Sequence, residues 1–497
     1  MALSVSSPKS DKSESAETNA NSHRRWWVLS SVACGTFMAT LDSSIVNIAL
    51  PTLTKDLAAD LYQIKWVVII YLLVITCLLL PFGRLSDQAG RKKMFQAGYL
   101  VFVIGSGMCG FSNTLMGLVL CRALQGVGAS MLMVNGPAII TATFPVNERG
   151  AALGTLAMVV SAGLISGPSI GGYLISELGW RSIFWVNIPI GLAGIFLVYR
   201  FVRKDLLRCE KAPFDWGGAL LQMVLMVSMI ILFDPPRIAF SGGEPIEISR
   251  WIIAIVTLIF GAIFIKVESV VKAPVFDLSL LNNRTFWSAN LASFMMFVSF
   301  SAVSVLMPFF LEEVLGLLPH QAGLYMTAIP FMIFLIAPMS GRLSDRFGSQ
   351  ELSFSGALVG AVSLLTMAGI FGRGIHAHVD PRWVILALCS IGLATGLFQA
   401  PNNNAIMSAV PPAKLGVASA FLATVRNLGF VIGTGMATGL FTWRMQNTGD
   451  YIGSLHLTYL ISGLVAFGAM LACLGKERGR IRGYETLRNG SDVDIQI

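Results

Sequence analysis

The sequence predicts an all-α polytopic membrane protein, with two pseudo-symmetric six-helix bundles plus two intervening helices (14 transmembrane helices). Three observations predict this fold: an apolar composition, long apolar stretches at regular spacing, and an internal repeat. Of the 497 residues, 55% are hydrophobic and 12% are Asp, Glu, Lys or Arg, about half of the roughly 25% typical of soluble domains. So little charge excludes a soluble globular, a disordered or a collagen-like chain.

Fourteen apolar stretches are separated by charges, prolines or glycines. Most are long enough for the helix of about 20 residues that crosses a bilayer, and all are too long for the strands of a membrane barrel. In chain order they lie near 26–47, 64–82, 94–112, 115–143, 151–176, 183–201, 216–233, 251–267, 286–310, 322–340, 352–371, 382–408, 417–443 and 455–474.

The placement of Lys and Arg predicts the orientation. These residues concentrate in alternate connections, beginning with Arg24 and Arg25 before the first stretch. Because cytoplasmic loops carry the excess of Lys and Arg, both termini are predicted to be cytoplasmic, in a plasma membrane (the inner membrane of a bacterium). The net charge of +8 therefore requires no nucleic acid partner. The expected partners are a small-molecule substrate and the lipid bilayer, and the oligomeric state, a monomer included, is left open.

An internal repeat relates the two halves of the chain. The pentapeptide Gly-Arg-Leu-Ser-Asp stands at 83–87 and again at 341–345, and Gly163 and Gly167 correspond to Gly429 and Gly433. Parallel repeats of this kind recur in secondary transporters. The predicted organisation is a disordered cytoplasmic tail (1–25), an N-terminal six-helix bundle (26–201), a cytoplasmic linker with helices seven and eight (202–285), a C-terminal six-helix bundle (286–474) and a cytoplasmic tail (475–497).

Five segments in order resemble motifs of the major facilitator superfamily, specifically its 14-helix drug:proton antiporter branch (EmrB/QacA type). They are LDSSIVNIALP at 41–51, GRLSDQAGRKK at 83–93, RALQG at 122–126, GLISGPSIGG at 163–172 and the segment from Trp180 to Pro189. The resemblance covers about residues 26–474. It implies two bundles that rock about a central cavity, and export of small molecules against inward proton flow.

Asp42 and Arg122 are the predicted proton-coupling pair. Asp42 lies about 24 Å along the first stretch and Arg122 about 10 Å along the fourth, so both fall in one layer of the outer half of a core about 30 Å thick. Intramembrane ionisable groups are usually functional, and an arginine at this depth needs an acceptor. Gln125 faces the same side as Arg122. The alternatives are a water-exposed carboxylate at a helix end and a static structural pair.

The segment at 83–93 is predicted to be a loop that acts as a conformational latch. Gly83 and Gly90 would allow tight turns, and Arg84, Asp87 and Arg91 would contact neighbouring helix ends in one state only. The alternative is a solvated basic loop that fixes topology. The second copy, with Arg342 and Asp345, lacks the two lysines and is expected to be weaker.

The fifth stretch carries the antiporter motif that the resemblance identifies: Gly163, Gly167, Pro168, Gly171 and Gly172. Small residues every four positions permit close helix contact, and Pro168 removes one backbone hydrogen bond and favours a bend. Ordinary helix packing is the alternative, and the link to export rests on the resemblance.

Five polar residues are candidates for the substrate cavity: Gln125, Asn135, Gln399, Asn402 and Arg426. Arg426 lies about 14 Å into the thirteenth stretch, where the first half has Val160. It favours an anionic, zwitterionic or neutral polar group in the substrate, unless it is a hydrogen-bond anchor to helix carbonyls. The amides could line the cavity or tie helices together.

The chain is predicted not to be an enzyme, because it has no Walker, HExxH or suitably placed GxSxG motif. No cofactor or metal is expected, and the proton is the expected coupling ion. The predicted function is a secondary active transporter that exports amphipathic drugs or acidic or zwitterionic metabolites. The alternative is a facilitator or proton symporter for uptake of a small metabolite.

Overall fold

The apolar stretches form long helices in a computed structural model that describes residues 11–202, 216–233, 250–271, 278–372, 381–411 and 415–475. These residues are helical throughout apart from short turns, and none of them is in a strand. The helices are α1 (Asp11–Asp56), α2 (Leu61–Ile64), α3 (Trp66–Ala89), α4 (Arg91–Phe111), α5 (Leu115–Thr143), α6 (Val146–Leu178), α7 (Ser182–Trp185), α8 (Asn187–Phe201), α9 (Trp216–Phe233), α10 (Arg250–Val270), α11 (Arg284–Phe309), α12 (Pro319–Phe347), α13 (Ser349–Gly372), α14 (Pro381–Ser408), α15 (Leu415–Thr448) and α16 (Tyr451–Cys473).

Thirteen segments of the described chain are long and apolar enough to span a bilayer, and α9 contributes a shorter apolar helix, Gly217–Leu232. The all-α polytopic fold is therefore confirmed, with thirteen long candidate spans and one short one. α1 begins at Asp11, within the segment predicted to be a polar tail, and its candidate span is Arg24–Asp56. The predicted tail at 475–497 lies outside the described residues except for Gly475.

The chain divides into two compact units. The first comprises Met1–Val275, Ser304–Pro330 and Thr434–Thr442, and the second comprises Phe276–Val303, Phe331–Gly433 and Trp443–Ile497. In the first unit α1 packs against α5, α6 and α8, while α3 and α4 pack against α5. The α9–α10 pair attaches to α3 through α9. The domain boundaries predicted from the sequence stay a prediction.

In the second unit α13 packs against α14 and α16. A buried apolar cluster joins the 3-10 helix Leu278–Asn282 to α11, α14 and α15. Its members are Leu280, Phe286, Ala289, Ile406, Val410, Ala418 and Leu422. Burial of these side chains holds the end of α14 and the start of α15 against the start of α11.

The predicted loop at 83–93 is wrong, because α3 continues through Gly83 to Ala89 and α4 begins at Arg91. Only Gly90 makes the turn, with a φ of 97° that side chains larger than hydrogen rarely adopt. The repeat preserves this arrangement, since α12 runs through Gly341 and the turn falls at Gly348, with a φ of 93°. One glycine with positive φ is sufficient to reverse the chain, so the preceding residues extend the helix.

Replacing Gly90 by Ala is expected to lower the apparent melting temperature of the purified protein in detergent, because the strained backbone conformation costs about 1–3 kcal/mol. Gly83→Ala is the matched variant: Gly83 is helical, and an added Cβ meets only Val134 at 3.4 Å. It should melt at or above the wild-type temperature. Equal melting of the two variants would contradict the assignment of the turn to Gly90.

Candidate functional site

Asp42 lies in the interior of the first unit, on the face of α1 that meets the other helices. Its side chain has no exposed surface, and that of Arg122 on α5 is only 1% exposed. Asp42 Oδ2 accepts a hydrogen bond from Arg122 Nη1 at 2.6 Å. The two residues are 80 positions apart in the sequence, so this ion pair fixes the relative depth of two helices that pack together.

Two amides complete the coordination of the Asp42 carboxylate. Gln125 Nε2 and Asn187 Nδ2 donate to Asp42 Oδ1 at 2.8 and 2.9 Å. Arg122 Nη1 also donates to Gln125 Oε1 at 2.7 Å, and Asn187 Nδ2 donates to Ser106 Oγ at 3.1 Å. The carboxylate thus joins groups from α1, α5 and α8, and the network reaches α4 through Ser106.

The guanidinium of Arg122 is enclosed on its remaining sides. Its Nε donates to the carbonyl of Val67 on α3 at 3.1 Å. Its Cζ lies 4.0 Å from the ring centroid of Tyr71 and 5.9 Å from that of Phe184. Cation–π contacts of this kind strengthen when water is excluded.

This network holds one charge pair out of contact with solvent. Asp42 accepts hydrogen bonds from three side chains, and its carboxylate has no contact with solvent. Removing one partner of such a pair leaves an uncompensated charge, which costs about 3–5 kcal/mol. A proton delivered to Asp42 would remove the same charge and weaken the same contacts.

Asn187 and Ser106 were not identified as site residues by the sequence reasoning, although Asn187 lies in the segment at 180–189 that carries the resemblance. The available signal was an amide at the start of an otherwise apolar helix. Ser106 has no distinctive sequence pattern, and its position opposite Asn187 follows only from the packing of α4 on α8. Within the described part of the chain, no group of three His, Cys, Asp or Glu residues could hold a metal ion.

Two basic residues of the 83–93 segment, Arg91 and Lys92, contact the C-terminal parts of neighbouring helices. Arg91 Nη1 donates to the carbonyl of Ala138 near the end of α5 at 3.3 Å. Lys92 Nζ donates to the carbonyl of Val202, just after α8, at 2.5 Å. A cation next to Val202 is favourable because the last carbonyls of a helix lack intrahelical partners and the C-terminal end of a helix is negative.

The structure does not describe the side chains of all predicted latch residues. The side chains of Arg84, Asp87 and Asp345 lie outside the described residues, although their backbones are helical. Arg342 is exposed on α12. The latch role, including the weaker second copy, stays a prediction.

The antiporter motif has two contact faces. Gly163, Gly167 and Gly171 lie against α1, where an added Cβ would clash with Thr40, Ser44 and Ile45 respectively. Pro168 and Gly172 lie on another face, within the same unit, against the first residues of α12. A hydrogen bond of 2.7 Å between the hydroxyls of Ser169 and Thr327 accompanies that contact.

The second half of the repeat reproduces the first of these faces. An added Cβ at Gly429 would lie 2.7 Å from the carbonyl of Phe294, and one at Gly433 would clash with Val298 and Ser301. α15 therefore packs on α11 through the same two glycine positions that α6 uses on α1. Small residues allow this close approach between membrane helices.

The five cavity candidates have different surroundings within their own units: Gln125 and Asn135 belong to the first unit, and Gln399, Asn402 and Arg426 to the second. Gln125 belongs to the Asp42 network, and Asn135 is buried and donates to the carbonyl of Met131 in its own helix at 2.8 Å. Asn402 is buried and donates to the Ala289 carbonyl at 3.1 Å and to Ser293 Oγ at 2.7 Å. These two hydrogen bonds link α14 to α11, as expected if this amide ties helices together.

Gln399 and Arg426 are partly exposed. Arg426 Nη2 donates to Asn403 Oδ1 on α14. The predicted cavity role of all five candidates stays a prediction.

Comparison with known proteins identifies the relatives of this chain. A sequence model described as Major Facilitator Superfamily matches residues 32–434. The riboflavin transporter RibZ of Clostridioides difficile (strain 630) is 36% identical over 452 residues, which is 89% of this chain and 96% of the relative. The multidrug resistance protein Stp of Mycobacterium tuberculosis is 30% identical over 403 residues, covering 80% of this chain and 72% of the relative.

A solved structure has a similar fold. It is a bacterial homologue of the human lysosomal transporter Spinster, in an inward-facing and unoccupied conformation. The TM-score is 0.64 at 15% sequence identity, and the match covers 91% of this chain and 97% of the other. At that identity the likeness establishes the fold alone.

Removing either charge of the buried pair is expected to destabilise the protein more than removing both. Asp42→Asn and Arg122→Gln should each cost about 3–5 kcal/mol, because each leaves an unpaired charge. The double variant Asp42→Asn with Arg122→Gln should recover part of that loss. Thermal unfolding of the four purified proteins in detergent measures the coupling, and strictly additive losses would contradict a direct interaction.

Gly167→Ala is expected to lower the melting temperature and the amount of folded protein in the membrane, because overpacking a close contact costs about 1–3 kcal/mol. Gly154→Ala on the same helix is the control, since nothing lies within 4 Å of an added Cβ there. It should be neutral or slightly stabilising. Equal melting temperatures for Gly167→Ala and Gly154→Ala would contradict the close packing of α6 on α1.

Proposed function

Because the chain belongs to the Major Facilitator Superfamily, we propose that it is a secondary active transporter that exports amphipathic small molecules by proton antiport and alternating access. That it is a membrane transporter for small molecules, rather than an enzyme, follows from the family. Proton coupling, export and the 14-helix drug:proton antiporter branch are our proposal. The thirteen long spans and the short apolar helix α9 support the branch.

One observation carries the proposal: a buried carboxylate that is paired with an arginine and joins α1, α5 and α8. Asp42 is the centre of the network, and Arg122, Gln125 and Asn187 all donate to it. A proton on Asp42 cancels the charge that holds Arg122, so the contacts between α1 and α5 weaken together. Because α1 also packs on α6 through Gly163, Gly167 and Gly171, loosening the network would change how α1 sits on α6.

This coupling explains how a gradient can drive movement without a nucleotide. In the paired state the charge on Asp42 is compensated within the protein. In the opened state Asp42 would meet water and exchange its proton, and Arg122 would rely on Gln125, the Val67 carbonyl and the Tyr71 ring. Alternation between these states, one for each side of the membrane, is the population shift that the proton controls.

The sequence and one relative support a membrane location, a coupling ion and a substrate class for the proposed transporter. The excess of Lys and Arg in alternate connections supports a plasma membrane location with both termini in the cytoplasm. The proton is the proposed coupling ion, with no other cofactor. Similarity to a multidrug resistance protein supports export of amphipathic compounds.

A second candidate function is uptake of a small metabolite by a facilitator or proton symporter. Similarity to a riboflavin transporter, at 36% identity over most of both chains, favours a metabolite substrate. Everted membrane vesicles separate the two directions: a proton gradient that is acidic inside should drive accumulation if the protein exports. Riboflavin and a panel of amphipathic drugs are the first compounds to measure.

Asp42→Asn is expected to reduce transport driven by a proton gradient in proteoliposomes at least tenfold, because Asn cannot bind and release a proton. Substrate counterflow, which needs no net proton movement, should stay within about threefold of wild type once folded protein is matched. This split between the two assays distinguishes a proton carrier from a static structural pair.

Asp56→Asn is the matched control, since Asp56 lies on the same helix and accepts a hydrogen bond from Trp180 Nε1 at 2.8 Å, outside the network. It should retain both activities. Full gradient-driven transport by Asp42→Asn would exclude the mechanism, and equal loss of both activities would favour the structural pair.

A further inference from the structure

Each half of the chain has an arginine inside a candidate span, and the two arginines differ in their hydrogen-bond acceptors. Arg122 in the first half has Asp42, the Gln125 oxygen and the Val67 carbonyl as acceptors. Arg426 lies nine residues into the candidate span Val417–Thr448, about 14 Å along it. It has no carboxylate within salt-bridge distance among the residues that the structure describes.

The contacts of Arg426 leave much of its hydrogen-bonding capacity unused. Its Nη2 donates to Asn403 Oδ1, whereas its Nε is buried and has no acceptor. No helix carbonyl of the described chain accepts a hydrogen bond from it, so the alternative of a carbonyl anchor has no support. Arg426 as a whole residue is partly exposed, although its Nε is buried.

Three helices of the second unit build the surroundings of this guanidinium. α15 carries Arg426, α14 carries Asn403, and α11 carries Phe297, whose ring centroid lies 5.7 Å from Arg426 Cζ. Gly429, one turn after Arg426, permits the close approach of α11, since its Cβ position is 3.1 Å from Phe297 Cβ. Asn403 uses its oxygen to accept from Arg426, so the amide nitrogen beside the guanidinium is left to donate.

The chemistry of these groups selects a class of ligand. A guanidinium stays charged at all physiological pH values and offers a planar fork that matches a carboxylate. An uncompensated charge at this depth in a membrane is costly, so an anion that supplies the missing acceptor binds favourably. The partly exposed Phe297 ring offers a face for an aromatic body, and the positive charge disfavours cationic compounds.

We propose that Arg426, Asn403 and Phe297 form a binding site for aromatic monoanions, in which Arg426 and the Asn403 amide hold the carboxylate and Phe297 packs against the ring. This inference rests on the proposed function, because it narrows the substrates of the transporter to one class. Arg426, a charge that the first half of the repeat lacks, is assigned to ligand recognition. The Asp42–Arg122 pair is assigned to proton coupling.

The test is equilibrium binding of radiolabelled naphthalene-1-acetate to the purified full-length protein in nanodiscs. Naphthalene-1-acetamide and 1-naphthylethylamine have similar shapes but are neutral and cationic, so neither supplies an anionic acceptor to Arg426. We expect the amide to bind at least tenfold more weakly than the acetate and the amine more weakly still. Equal affinity for acetate and amide in the wild-type protein would overturn the proposal without any variant.

Variants then assign the preference to the site. Arg426→Gln should weaken acetate binding at least tenfold and leave amide binding within twofold, and Arg426→Lys should lie between Gln and wild type. Asn403→Ala should weaken acetate binding about threefold. Arg444→Gln is the control, because Arg444 lies on the same helix 18 residues further along and takes no part in the site. Unchanged acetate binding in Arg426→Gln would refute the site.

The test of this binding site and the test of proton-coupled export can give different results. Acetate-selective binding that depends on Arg426, without gradient-driven export, would retain this site and refute proton antiport. Proton-coupled export of other compounds, without acetate selectivity, would retain the proposed function and refute this site. If Arg426→Gln does not fold, Arg426→Lys and the wild-type comparison of acetate with amide decide the question.

Discussion

A charge inside a membrane-spanning bundle must find its counter-charge within the bundle, and the pair of Asp42 and Arg122 satisfies that constraint here. The 2.6 Å contact fixes α1 against α5. Gln125 and Asn187 then saturate the remaining carboxylate oxygen, and this brings α8 to the same point. α6 packs on α1 through Gly163, Gly167 and Gly171, which lie against Thr40, Ser44 and Ile45 rather than against Asp42.

The two halves of the chain share their packing and differ in their charges. Glycines at corresponding positions bring α6 to α1 and α15 to α11. Packing needs small residues in both halves, so the repeat retains them. In our proposals, charge is needed where something is bound: a proton at Asp42 in the first half and an anionic ligand at Arg426 in the second. The asymmetry therefore divides coupling and recognition between different helices.

The two turns of the repeat show that a segment rich in polar residues and glycine can be helical. Polar and glycine residues at 83–93 suggest a loop, yet the helix persists to Ala89 and a single glycine reverses the chain. Gly348 repeats this geometry. With so short a connection, Arg91 and Lys92 begin the next helix and reach the carbonyls at the ends of α5 and α8. The contacts expected of a flexible loop are thus made by helix ends.

The sequence by itself determined the fold class, the approximate helix positions, the repeat and the common depth of Asp42 and Arg122. These follow from apolar length, Lys and Arg placement and the constant rise of a helix, all of which are local properties. Only the tertiary structure decided that Asn187 donates to Asp42, that Asn402 links α14 to α11 by hydrogen bonds, and that Arg426 has no carboxylate partner in the described chain. Those outcomes depend on which helix faces meet, and helical periodicity in an apolar span does not specify its neighbour.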